Sequence, residues 1–190
     1  MNATIILIGP LGAGKTTIGR LLAEKLNLSL CSVDEVRWDY YQQVGYDETV
    51  AAQLAASEQG VRGVLRYSQP FDAQMIERIL VDHHGIVDFG ASNSIYDDDA
   101  LIARVERALA PYPNVILLLP SPDMDESVEI LKSRLIRMLT EAGKAFTEEL
   151  FELNEYFVRH PANYRFAKQI VYTKDKAPEE IRAELVQKLT

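Results

Sequence analysis

Eight consecutive residues, Gly9-Pro10-Leu11-Gly12-Ala13-Gly14-Lys15-Thr16, have the types and spacing that hold a phosphate chain. Glycines at Gly9, Gly12 and Gly14 let backbone N–H groups turn inward toward an anion. Lys15 has the reach for β- and γ-phosphates, and the Thr16 hydroxyl is a hard oxygen ligand for Mg²⁺. Ala13 and Thr17 belong to the same expected nucleotide-binding stretch. Two carboxylates end apolar runs. Asp34 follows Leu28 to Val33, and Asp88 follows Gly85-Ile86-Val87. In open α/β sheets ligands bind at such strand ends. Asp34 is therefore expected to orient an acceptor oxygen, with a helix N-cap as its alternative role. Asp88 is expected to hold Mg²⁺, with a salt-bridged structural aspartate as its alternative. Arg134 and Arg137, three apart on a helical stretch, offer positive charge for a migrating phosphoryl group, or else a solvated face. Together these residues point to phosphoryl transfer from ATP with Mg²⁺, Lys15, Asp34, Arg134 and Arg137 being the catalytic candidates.

The elements that must position them alternate. Thr4-Ile5-Ile6-Leu7-Ile8 is a short β-branched run suited to a buried parallel strand, and a helical pattern follows the glycine-rich loop directly. Strands are expected near 4–8, 28–32, 85–89, 114–119 and 168–173. Helices are expected near 15–26, 34–43, 47–66, 71–82, 97–109, 123–140, 146–158 and 178–189. Asp47 and Asp123 are expected N-caps, and Asp97-Asp98-Asp99 reads as a cap with first-turn acids. This is the α/β signature, in one domain spanning 1–190. Residues 34–80 form an unusually long helical connection, expected to bind substrate. Residues 123–160 are the expected lid.

Composition narrows the class. Of 190 residues 47% are hydrophobic and 25% charged, as in soluble globular proteins, and the net charge of −8 argues against nucleic acid or anionic membranes as partners. A single cysteine, Cys31, forbids an internal disulfide and suits a reducing cytoplasm. The first strand begins almost at once, so no leader is expected. His83 and His84 have no third ligand at zinc-like spacing. The chain is expected to act as a monomer or homodimer.

The chain resembles small-molecule kinases of the nucleoside monophosphate kinase group, and within it shikimate kinase. The resemblance is carried by Ile5 to Arg20, by Ile76 to Ser92, and by Arg159, Pro161 and Tyr164 with Val171-Tyr172-Thr173 and Pro178-Glu179-Glu180-Ile181. It implies a P-loop three-layer α/β/α sandwich with a five-stranded parallel sheet in the order 2-3-1-4-5, ATP and Mg²⁺ as cofactors, and a small hydroxylated metabolite as acceptor. It implies that Asp34 binds the acceptor hydroxyl, that Gly90 and Ala91 belong to the substrate loop, and that Arg159 grips a substrate carboxylate; Arg159 also stands at an expected helix end, where the dipole favours a base. Arg134 would stack on adenine with Pro178 on its other face. The pattern departs at Ser32, where the family has an acid, and at Gly90-Ala91-Ser92, where it has three glycines; the second substrate arginine has no match beyond Arg62 and Arg66. A nucleoside or nucleotide acceptor, and a nucleotide-binding regulatory protein or ATPase, stand as alternatives.

Overall fold

The computed structural model describes residues 4–189. Five parallel strands form its centre: β1 (Ile5–Ile8), β2 (Leu30–Ser32), β3 (Ile86–Asp88), β4 (Asn114–Leu119) and β5 (Gln169–Tyr172), in the order β2-β3-β1-β4-β5. The register sets Leu7 and Ser32 beside Asp88, so β2 ends level with β3 and β1 one residue beyond it on the same edge. Alternation along each strand feeds two cores. Ile6, Ile8, Val87, Val115 and Leu117 face α2 (Val33–Val44), α4 (Gly60–Asp82) and α5 (Asp99–Leu109). Ile5, Leu7, Ile86, Ile116 and Leu118 face α1 (Lys15–Leu26), α6 (Met124–Glu141) and α9 (Pro178–Lys188). Helices on both faces explain why β1, β3 and β4 are buried throughout.

The helix boundaries between 47 and 82 differ from the sequence expectation. Asp47 caps α3 (Glu48–Ala55) by accepting from Thr49 N, as expected, but the break falls at 56–59 rather than before Phe71. α4 then runs through Pro70, whose ring lies on the exposed side of the helix. The carbonyl that proline leaves without a partner can be hydrated there, so the helix survives. Asp123 and Asp98 accept from Glu126 N and from Ala100 N and Leu101 N, also as expected. A short helix not foreseen, α8 (Pro161–Phe166), follows α7 (Glu148–Arg159). Its cap is His160, whose Nδ1 accepts from Ala162 N, a job more often done by Ser, Thr, Asp or Asn.

Candidate functional site

The loop between β1 and α1 is forced by contact as well as by charge. A Cβ at Gly9 (φ +141°) would lie 2.6 Å from the Leu118 carbonyl oxygen, so only glycine lets the chain leave β1 beside β4. Lys15 is buried, and its Nζ donates to the Gly9 and Pro10 carbonyls at 2.9 and 3.1 Å. Burial lowers its pKa, opposed by the nearby carboxylates of Asp88 and Asp34. Ala13 is buried in the loop, while Gly12, Gly14, Thr16 and Thr17 line a cleft of about 540 Å³. Arg134, Arg137 and Pro178 close its far side. Arg134 Nη1 donates to the Gly12 carbonyl (3.4 Å) and to Thr173 Oγ1 (3.3 Å), and partial burial followed by Arg137 lowers its pKa.

At the cleft floor Thr16 Oγ1 donates to Asp88 Oδ2 at 2.6 Å, while Asp88 Oδ1 is buried with no partner. Burial raises the Asp88 pKa, against the pull of Thr16 and Lys15. A buried carboxylate short of donors beside a hydroxyl is a hard oxygen pair, which fits Mg²⁺. Among the described residues no cluster of three or more His, Cys, Asp or Glu assembles, so such a cation would complete its shell with water and phosphate oxygens.

A second cavity of about 250 Å³ adjoins the first through Leu11, Asp34 and Ala91. Asp34 does not cap α2; it lies in the first turn, and its Oδ1 accepts from Arg37 Nη2 at 2.6 Å. Arg37 also reaches Asn93 Oδ1 at 3.4 Å. Gly90 sits directly beneath: a Cβ there would fall 2.2 Å from Asp34 Oδ1 and 2.8 Å from Arg37 Nη2. Behind this pair the fully buried Asp72 accepts from Tyr41 OH (2.7 Å) and Asn93 Nδ2 (2.8 Å), and burial raises its pKa from 3.8 to about 6, against the pull of Arg37.

The fold thus brings Lys15, Thr16, Asp88, Arg134, Arg137, Asp34 and Ala91 to one edge, with Gly90 under Asp34. Arg159 is not among them. It lies exposed on the surface, donating to Asp125 at 2.6 Å and to Glu155 at 2.9 Å. Its place at the end of α7 aims it at the acids of α6 and of its own preceding turn, and it lines neither cavity. Arg62 packs over the Tyr156 ring at 5.1 Å, outside both cavities. Sequence reasoning missed Arg37, Asp72 and Asn93. The spacing of Asp34 and Arg37, i and i+3 on one helix, was the available signal for the first of these. It also missed Asn154 of α7, which clamps the phosphate loop by accepting from Leu11 N (2.8 Å) and donating to the Leu11 carbonyl (3.2 Å).

A parallel sheet in this order, with a phosphate loop after β1 and a second cavity on the same edge, defines a P-loop protein of small-molecule kinase architecture. The chain is shikimate kinase-like in sequence and fold. It is 27% identical to a shikimate kinase of Streptomyces coelicolor over 178 residues, 93% of this chain and 90% of that one. A 41-residue stretch, 22% of this chain, is 54% identical to the Pentafunctional AROM polypeptide of Schizosaccharomyces pombe, of which it spans 3%. The structure of a shikimate kinase from Acinetobacter baumannii in complex with shikimate superposes with a TM-score of 0.62 at 20% identity, covering 97% of this chain and 91% of that one. No family model matches the chain. Among the described residues no helix is long and apolar enough to cross a membrane.

Proposed function

We propose that this protein moves the γ-phosphoryl group of ATP to a hydroxyl of a small metabolite, in a cytoplasmic setting where Cys31 stays a thiol. The observation that carries the reading is the meeting of two cavities at Asp34: one ends at the phosphate loop, the other opens beside it. That arrangement suits in-line transfer between a nucleotide tail and an alcohol oxygen. The similarity to shikimate kinases supports a hydroxyl of a small molecule as the acceptor group.

In this reading the loop amides and Lys15 hold the β- and γ-phosphates. Mg²⁺, held by Thr16 Oγ1 and through water by Asp88, would neutralise charge on the phosphate oxygens. Asp34 orients the acceptor hydroxyl and takes its proton as the new O–P bond forms and the bond to the β-phosphate oxygen breaks, leaving ADP. Arg134 and Arg137 neutralise charge on the moving group, and Arg134 with Pro178 brackets adenine. Residues 34–80 supply much of the acceptor site, and 123–160 the lid that excludes water. Calorimetry with ATP and Mg²⁺, followed by acceptor-dependent ADP release, tests the assignment. Binding with turnover is expected, and no heat with ATP, ADP or GTP would refute it.

A further inference from the structure

Resting on that phosphotransferase reading, we propose that the acceptor cavity takes an uncharged alcohol with a largely apolar skeleton, and that Arg37 serves to position Asp34 rather than to grip an acceptor carboxylate. Arg37 is the sole cation lining the cavity among the described residues. Its charge is already matched by carboxylates. Its Nη2 donates to Asp34 at 2.6 Å and approaches Asn93 Oδ1 at 3.4 Å, its Nε is buried without a partner, and its guanidinium lies 5.9 Å from the Tyr41 ring centre. Asp72 stands behind it, tied to the same Asn93, and one oxygen of that buried carboxylate is unpartnered. Two carboxylates therefore flank one guanidinium, which leaves no surplus positive charge for an anionic acceptor.

Most of the remaining wall agrees: Val61, Val64 and Leu65 from α4 and Leu153 and Phe157 from α7 present hydrocarbon, while Ser68 and Ser92 add only neutral hydroxyls. An acceptor carboxylate or phosphate placed there would lose its water without gaining a cation. The arginine that could have supplied a second cation, Arg159, is paired on the surface with Asp125 and Glu155. Gly90 fits the same account. Its missing Cβ leaves space that Asp34 and Arg37 fill, so the backbone itself supports the pair from below.

The test is a matched pair of acceptors, shikimate and its methyl ester, with cis-cyclohexane-1,2-diol as a second neutral probe and AMP as a dianion. Binding is read with ADP and Mg²⁺ present by fluorescence of the single tryptophan, Trp38, whose ring stands edge-on to Tyr41 at 5.6 Å; turnover is read as ADP release. The ester is expected to bind at least tenfold tighter than the acid, with AMP weaker still. Equal or tighter binding of the acid or of AMP overturns the proposal, as does failure of both neutral probes to bind. The nucleotide is measured separately. Absence of ATP binding brings down the underlying reading, whereas bound ATP with the wrong acceptor preference strikes this inference alone. Arg37→Gln is expected to lower kcat at least tenfold with KM for the neutral acceptor changed less than threefold, and Arg37→Lys to restore part of kcat. A rise in KM without loss of kcat would instead make Arg37 an acceptor-binding residue.

Discussion

The two halves of the cleft are built differently. The phosphate side is one continuous stretch, Gly9 to Thr17, with Asp88 brought in by the neighbouring strand. The acceptor side is assembled from α2, the turn after β3, α4 and α7, through pairs distant in sequence such as Arg37 with Asn93 and Tyr41 with Asp72. The contrast teaches where versatility lies in this architecture. Phosphate geometry is fixed by a local backbone shape, while the acceptor pocket is a composite that can change one wall at a time.

Substitutions on the two sides should therefore separate cleanly. The largest effect is expected from Lys15→Ala, which removes the charge proposed to hold the phosphates: kcat should fall about 10²–10³-fold with the far-UV circular dichroism unchanged. Preserved turnover would break the contrast at once. Asp88→Asn comes next, with kcat/KM down about 10–100-fold and a higher Mg²⁺ requirement, measured by magnesium titration. Because Asp88 is a buried carboxylate short of partners, the same variant should melt no lower than the native protein.

Gly90→Ala probes the acceptor side. Crowding Asp34 and Arg37 should cost about 1–3 kcal/mol of stability and reduce kcat, yet leave calorimetric ATP affinity unaltered. Loss of ATP affinity would show that the two sides are not separable.

The smallest effect concerns pH. The Asp72 pKa is higher in the folded chain, about 6, than the ordinary 3.8, so the folded state binds more protons between those values. Stability from this group is thus fully present below about pH 4 and is lost as pH rises through 6. Asp72→Asn keeps the acceptor oxygen for Tyr41 and Asn93 while removing the charge. It should flatten denaturant-measured stability across that window by on the order of 1–2 kcal/mol. An unchanged slope would mean that Asp72 is ionised without penalty.

Much of this was legible before any coordinates. The strand order along the chain and most of the helices followed from apolar periodicity, and the caps at Asp47, Asp98 and Asp123 from residue type. The helix break expected before Phe71 did not form, because the cost of Pro70 depends on which face of the helix it occupies, which composition does not reveal. Arg159 is a different case. A motif position states where a backbone passes, but side-chain direction depends on the acids that surround it, here Asp125 and Glu155.

The sequence by itself determined the phosphate loop, because a run of glycines followed by Lys15 and Thr16 acts through its own backbone and needs only a strand before it and a helix after it. The tertiary structure decided the acceptor side. Whether Arg37 meets Asp34, whether Asp72 is stripped of water, and whether α4 and α7 present hydrocarbon to a ligand depend on contacts between chain segments far apart in sequence. Such contacts arise only when the helices pack, since burial and charge compensation are properties of the assembled interior.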